Sequence, residues 1–213
     1  MFNLAPDELI CRVITLVIAF TFHEFAHAAV ADHFGDTTAR EAGRLTLNPL
    51  VHLDIFGSLL LLVSGFGWAK PTPINPAALR QRSRFALLWV SLAGPISNLM
   101  LAIAAALPIR FGWVKLALPS GVIPTFGEFL YVFMMINLSL MVFNLIPLPP
   151  LDGEKILRSL LPDQVANFYA KVSPYGPILF MLVLFGGPLV GVDIIGWIMN
   201  PAVRGMRSLL IGV

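Results

Sequence analysis

The chain has 213 residues, of which 57% are hydrophobic and only 12% charged, and its mean hydropathy is +0.83. A soluble domain of this size carries about twice that charge fraction, and several apolar stretches approach the ~20 residues that cross a bilayer. Composition therefore points to an integral membrane protein with little chain left for a separate soluble domain. A formal charge of +2, with no basic run interleaved with aromatics, argues against nucleic acid as a partner, and the lone Cys11 rules out an internal disulfide.

In chain order, the first predicted span runs from about Glu8 to His33 and is ended by Gly35. Ala29-Val30-Ala31 looks like a signal-peptidase site, but Asp7 and Glu8 stand where a basic cluster belongs, so the span is expected to be retained. Within it lies His23-Glu24-Phe25-Ala26-His27. At ~100° and 1.5 Å per residue, the two histidines fall one turn apart on one helix face. Imidazoles so placed can share one Zn²⁺, with Glu24 beside the metal as a general base.

The polar segment from Asp36 to Pro49 turns at Gly43 and predicts a short β-hairpin after the first helix. Ile55 to Trp68 is apolar but short for a full span. The prolines at 71, 73 and 76 make Lys70–Pro76 an extended loop, and Arg80, Arg82 and Arg84 form a basic collar after it. Further spans are predicted at about Phe85–Leu107, with Gly94-Pro95 and Asn98 inside, and at Phe126–Leu145. The latter runs into the proline-rich stretch Asn144 to Gly153. A short helix from Glu154 is stopped by Pro162, and a last apolar region, Pro174 to Met199, is broken at Gly186-Gly187-Pro188. The expected architecture is an all-α polytopic membrane protein of about 4–6 transmembrane helices, with a re-entrant segment and the hairpin. Residues 1–213 read as a single membrane-embedded domain, with its core at 8–160 and C-terminal spans within 172–213.

Catalytic zinc usually takes three protein ligands plus water. His33 lies at the third-histidine spacing of H-E-x-x-H-x-x-G-x-x-H, but Val30 occupies the glycine position that must turn the chain back. In a continuing helix His33 stays ~9 Å along the axis from His27, on another face. Asp152 is the stronger candidate. It follows a stretch that must unwind a helix end, and non-helical backbone at membrane depth is tolerated where it lines a cavity or is buried in protein. The alternative is that Asp152-Gly153 simply turns or caps the helix that follows.

If Asp152 meets the histidines, the first span and the span before Asp152 must run parallel, which makes Ile55–Trp68 re-entrant or interfacial. That topology collects Arg40, Arg44, Lys70, Arg80, Arg82, Arg84, Lys155, Arg158 and Lys171 on one side, against Arg12, Arg110 and Lys115, with Arg204 and Arg207 unassigned. The bias places the site toward the cytoplasm and the N-terminus outside.

His23-Glu24-Phe25-Ala26-His27, Ala93-Gly94-Pro95-Ile96-Ser97-Asn98 and the stretch Asn144–Gly153 resemble the three signature elements of the site-2 protease family of intramembrane zinc metalloproteases. Asn48-Pro49-Leu50-Val51-His52-Leu53-Asp54 is similar to its small prokaryotic branch, which lacks appended domains. The resemblance implies one Zn²⁺ held by His23, His27 and Asp152, with Glu24 as the catalytic acid/base. It also implies that Asn144, with Asn98, holds the substrate strand or the reaction intermediate. The substrate is then a membrane protein with a transmembrane segment, cleaved within the bilayer, and the hairpin could hold the opened segment by strand addition.

Plainer readings stand beside these. Asn98 and Asn144 fit helix–helix hydrogen bonds, Gly94-Pro95 fits a kink that permits close packing, and His52 fits either a site entrance or an interfacial position. A membrane metal transporter, or an inactive relative that only binds membrane clients, are the competing functions. Neither needs Glu24 beside the first ligand, and no internal repeat of the transporter kind is visible. Homo-oligomerisation is left open.

Overall fold

The computed structural model describes residues 5–54, 56–57, 67–116, 122–189 and 191–212. Its backbone is helical: α1 (Pro6–His33), α2 (Thr38–Glu41), α3 (Pro76–Arg82), α4 (Ala86–Arg110), α5 (Phe126–Asn144), α6 (Asp152–Leu160), α7 (Asp163–Val172), α8 (Gly176–Met181), α9 (Gly187–Leu189) and α10 (Ile194–Ile211). Four helical runs are long and apolar enough to cross a membrane: α1, α4, α5 and the run Gln164–Gly186. The last is little buried.

The core lies where α4, α5 and α10 meet. Ala102, Ala105 and Ala106 of α4 bring its backbone close to Leu130, Phe133, Met134 and Leu138 of α5, and Val203 of α10 closes the seam. Small residues spaced in this way replace the hydrophobic driving force that lipid does not supply. A smaller cluster of Ala31, Leu79, Ala86, Leu87 and Val90 joins the end of α1 to α3 and the start of α4. Side-chain contacts fix the directions. His27 meets Val90 and His23 meets Asn98, so α4 runs antiparallel to α1. Asn98 in turn meets Asn137, while Gly127 at the start of α5 lies against the Lys115 carbonyl just beyond the end of α4, so α5 is antiparallel to α4 and parallel to α1.

The expected β-hairpin is not there. Among the described residues no β-strand occurs, and Thr38–Glu41 is one helical turn. Asp36 explains the difference, because its carboxylate accepts the backbone N–H (3.1 Å) and hydroxyl (2.5 Å) of Thr38. That contact starts a helical turn at a segment whose residues also tolerate strand. Gly43 does turn the chain, at φ +68°, and Arg44 then points inward instead of joining a ladder. An antiparallel bridge between Leu53 and Ala69 joins the two loop segments. Most of Ile55–Trp68, where a re-entrant segment is expected, lies outside the described residues.

Candidate metal centre

His23 and His27 project from one face of α1 toward α4 and the loop after α5, and Asp152 is the first residue of α6. Asp152 Oδ2 lies 3.1 Å from His23 Nε2 and 3.0 Å from His27 Nε2, and the two Nε2 atoms are 3.1 Å apart. All three side chains are buried. Leu151, not Asp152, occupies the N-cap of α6, and no side chain caps that helix. The capping alternative for Asp152 therefore fails, since its carboxylate is turned to the imidazoles. Gly94 makes the approach possible: a Cβ there would sit 2.6 Å from His23 Nε2 and closer still to His27 Nε2.

The outer partners of the rings fix their tautomers. His27 Nδ1 donates to the Val90 carbonyl at 2.7 Å, which can only accept. Pro95 has no N–H for the Ser91 carbonyl, so the helix ladder is interrupted next to that acceptor. His23 Nδ1 donates to Asn98 Oδ1 at 2.6 Å. With both Nδ1 atoms protonated, each neutral ring presents an Nε2 lone pair to the same carboxylate oxygen. Three lone pairs converging at ~3 Å repel unless positive charge stands between them, and two imidazole nitrogens with one carboxylate oxygen form a catalytic zinc donor set.

Glu24 faces the same cavity of about 360 Å³, which is also lined by Thr72, Asn144, Lys155 and Phe180. Its Oε2 accepts the Thr72 backbone N–H at 2.6 Å, and the Thr72 hydroxyl donates to the Glu24 carbonyl at 3.0 Å. Pro71 and Pro73 carry no N–H, so Thr72 supplies the only amide donor in that tripeptide. Lys155 Nζ lies 3.3 Å from Asp152 Oδ1. Asn144 lines the cavity and donates through Nδ2 to Leu140 O at 2.9 Å.

The other expected residues stand elsewhere. Asn98 is fully buried behind His23, off the cavity wall. His52 is also fully buried, and its Nε2 donates to the Thr46 carbonyl at 2.7 Å, holding a loop. His33 is exposed and stacks edge-on against Phe34, away from the donor cluster. Sequence reasoning missed Thr72 and Asn137. A proline on each side marks Thr72 as a lone donor, and a polar side chain in an apolar helix marks Asn137, but neither signal names a partner.

Residues 112–184 match the model of the family described as Peptidase family M50. The chain is 48% identical over 181 residues to the "Putative zinc metalloprotease YwhC" of Bacillus subtilis, covering 83% of this chain and 80% of that one. A protein titled in the same way, Rip2 of Mycobacterium tuberculosis, is 31% identical over 188 residues, covering 85% and 67%. Another such, MJ0611 of Methanocaldococcus jannaschii, is 29% identical over 160 residues, covering 73% of each. No solved structure matches the chain.

Proposed function

The chain belongs to peptidase family M50, the site-2 protease family of zinc metalloproteases, and on that premise we propose that it hydrolyses peptide bonds inside the transmembrane segments of other membrane proteins. The observation that carries the reading is the convergence of two imidazoles and a carboxylate beside a buried glutamate, among helices long and apolar enough to span a bilayer. A soluble substrate has no reason to be met there.

His23, His27 and Asp152 would hold the zinc ion, which when bound supplies Lewis acidity to water and to a carbonyl. Glu24 takes the proton of the attacking water and returns it to the leaving amine. The Thr72 N–H holds the Glu24 carboxylate at the cavity wall while it does so. Asn144, which lines the same cavity, offers an amide to the substrate strand or to the developing oxyanion. Val90 and Asn98 keep the Nδ1 protons in place, so that the Nε2 atoms stay free to bind. A transmembrane substrate must unwind to enter, because a helix engages its own carbonyls. The site faces the cytoplasm, as the distribution of basic residues favours, and residues 1–213 act as one membrane-embedded domain in a prokaryotic plasma membrane.

The test is Glu24→Gln in proteoliposomes with single-span test substrates, with zinc measured in parallel. Cleavage should fall at least a hundredfold with zinc retained, whereas Asp152→Ala should lower both. Cleavage that survives Glu24→Gln, or zinc flux across vesicles without cleavage by the wild type, would rule the reading out.

A further inference from the structure

We infer that Asn137 is a positioning residue for the metal centre: through Asn98 it fixes the tautomer and ring orientation of His23. The inference rests on the zinc-protease reading above and adds to it a residue that touches neither metal nor substrate.

The hydrogen-bond polarity is set from the far end. The Phe133 carbonyl can only accept, and Asn137 Nδ2 donates to it at 2.9 Å. That turns Asn137 Oδ1 toward α4, where it accepts Asn98 Nδ2 at 2.9 Å. Asn98 Nδ2 also points at the Ala19 carbonyl, 3.5 Å away. Asn98 Oδ1 is then left to face His23, and it accepts Nδ1–H at 2.6 Å. Each amide is locked by its neighbour, and the series ends on a backbone oxygen that cannot reverse its role. Both asparagines are fully buried, so water cannot correct a wrong orientation.

Flipping Asn98 would set its NH2 against His23 Nδ1. The ring would then move its proton to Nε2, the atom that must bind the metal. Asn137 is what makes that flip unfavourable, because its Oδ1 would lose its donor in the same step. Its location argues the same way. Of the polar side chains in α5, Asn144 faces the cavity, whereas Asn137 faces only Asn98 and its own helix. An ordinary interhelical hydrogen bond would need no particular polarity; this series needs one at every step.

The test separates orientation from packing. Asn137→Leu removes the acceptor at nearly constant volume and leaves Asn98 free to flip. Zinc affinity of the purified protein, measured by competition with a chromogenic chelator, should fall 10- to 100-fold, the usual effect of losing an outer partner of a metal-binding histidine. Adding Asn98→Asp should restore it. A carboxylate accepts through either oxygen, so His23 Nδ1–H is satisfied whichever way the group turns. The ¹⁵N spectrum of the four histidines in zinc-free protein gives an independent reading, with one Nδ1–H tautomer becoming mixed in Asn137→Leu. If that variant does not fold, Asn137→Ser is the substitute, with the same expected loss and the same rescue. Wild-type zinc affinity in either single variant, or loss that Asn98→Asp fails to rescue, overturns the inference while leaving the protease reading intact. A wild-type protein that binds no zinc overturns both.

Discussion

At Gly94 a single methyl group would land 2.6 Å from His23 Nε2 and nearer still to His27 Nε2. In a helix interior alanine is favoured over glycine by about 1 kcal/mol, but here the methyl must displace two buried rings, an overpacking that costs about 1–3 kcal/mol. Gly94→Ala should lower zinc content of the purified protein below about a tenth of wild type, with at most a modest fall in thermal stability. Full zinc occupancy in that variant would contradict the close approach of α4. Apart from the family resemblance, Gly94-Pro95 reads in sequence as a kink. The glycine also makes room for the metal donors, and the proline interrupts the ladder beside the carbonyl that orients His27. Asn98 shows the same limit from the other side: the family resemblance implied substrate contact, while its position puts it behind a donor ring.

Among the elements, the extended segment 69–75 does most to shape the site without supplying a donor. It is held at several points along its length. The Lys70 N–H donates to His52 O at 2.8 Å, the Arg44 guanidinium donates to the Lys70 and Val51 carbonyls, and the Asn75 N–H meets Asp36 Oδ2 at 2.6 Å. Between these pins Thr72 holds Glu24. Burial draws the Arg44 guanidinium below its ordinary pKa while Glu24 pulls the other way, and the group stays a cation whose two terminal nitrogens meet carbonyl oxygens while its buried Nε has no hydrogen-bond partner. Arg44→Met leaves both carbonyls without that donor and should cost about 2 kcal/mol, seen as a fall of ~4–8 °C in apparent Tm. Zinc content should stay at wild type, since none of the three donor side chains touches Arg44, while cleavage falls as Glu24 loosens. The prolines made the extended course of this segment readable in sequence. The helical turn at Thr38–Glu41 was not, because one carboxylate at Asp36 decides between two conformations that composition leaves nearly equal.

For the whole molecule, parallel α1 and α5 with α4 antiparallel between them give the arrangement that Asp152 requires. Arg110 adds a detail: its guanidinium donates to the carbonyls of Leu209 and Leu210 at 2.8 and 3.0 Å, and Arg207 lies 3.5 Å from the Tyr131 hydroxyl. Arg207 therefore belongs with Arg12, Arg110 and Lys115 at the end away from the site, and the opposite end keeps the larger share of basic residues. In a Cys11→Ser background, Trp113→Cys should react with a membrane-impermeant maleimide on intact cells. Arg80→Cys should react only after the cells are opened. The reverse pattern would invert the proposed orientation.

Membrane class, the helical pairing of His23 with His27, and the preference for Asp152 over His33 follow from local rules that a linear chain displays. These are apolar length, a period of 3.6 residues, and a valine where a sharp turn would need glycine. The tautomers of the rings, the room left at Gly94, and the hold of Thr72 on Glu24 were decided by the tertiary structure. Each depends on which atoms of distant helices and loops come within ~3 Å and which way an amide is turned. Helical periodicity says which face a residue occupies, but it does not say what that face meets.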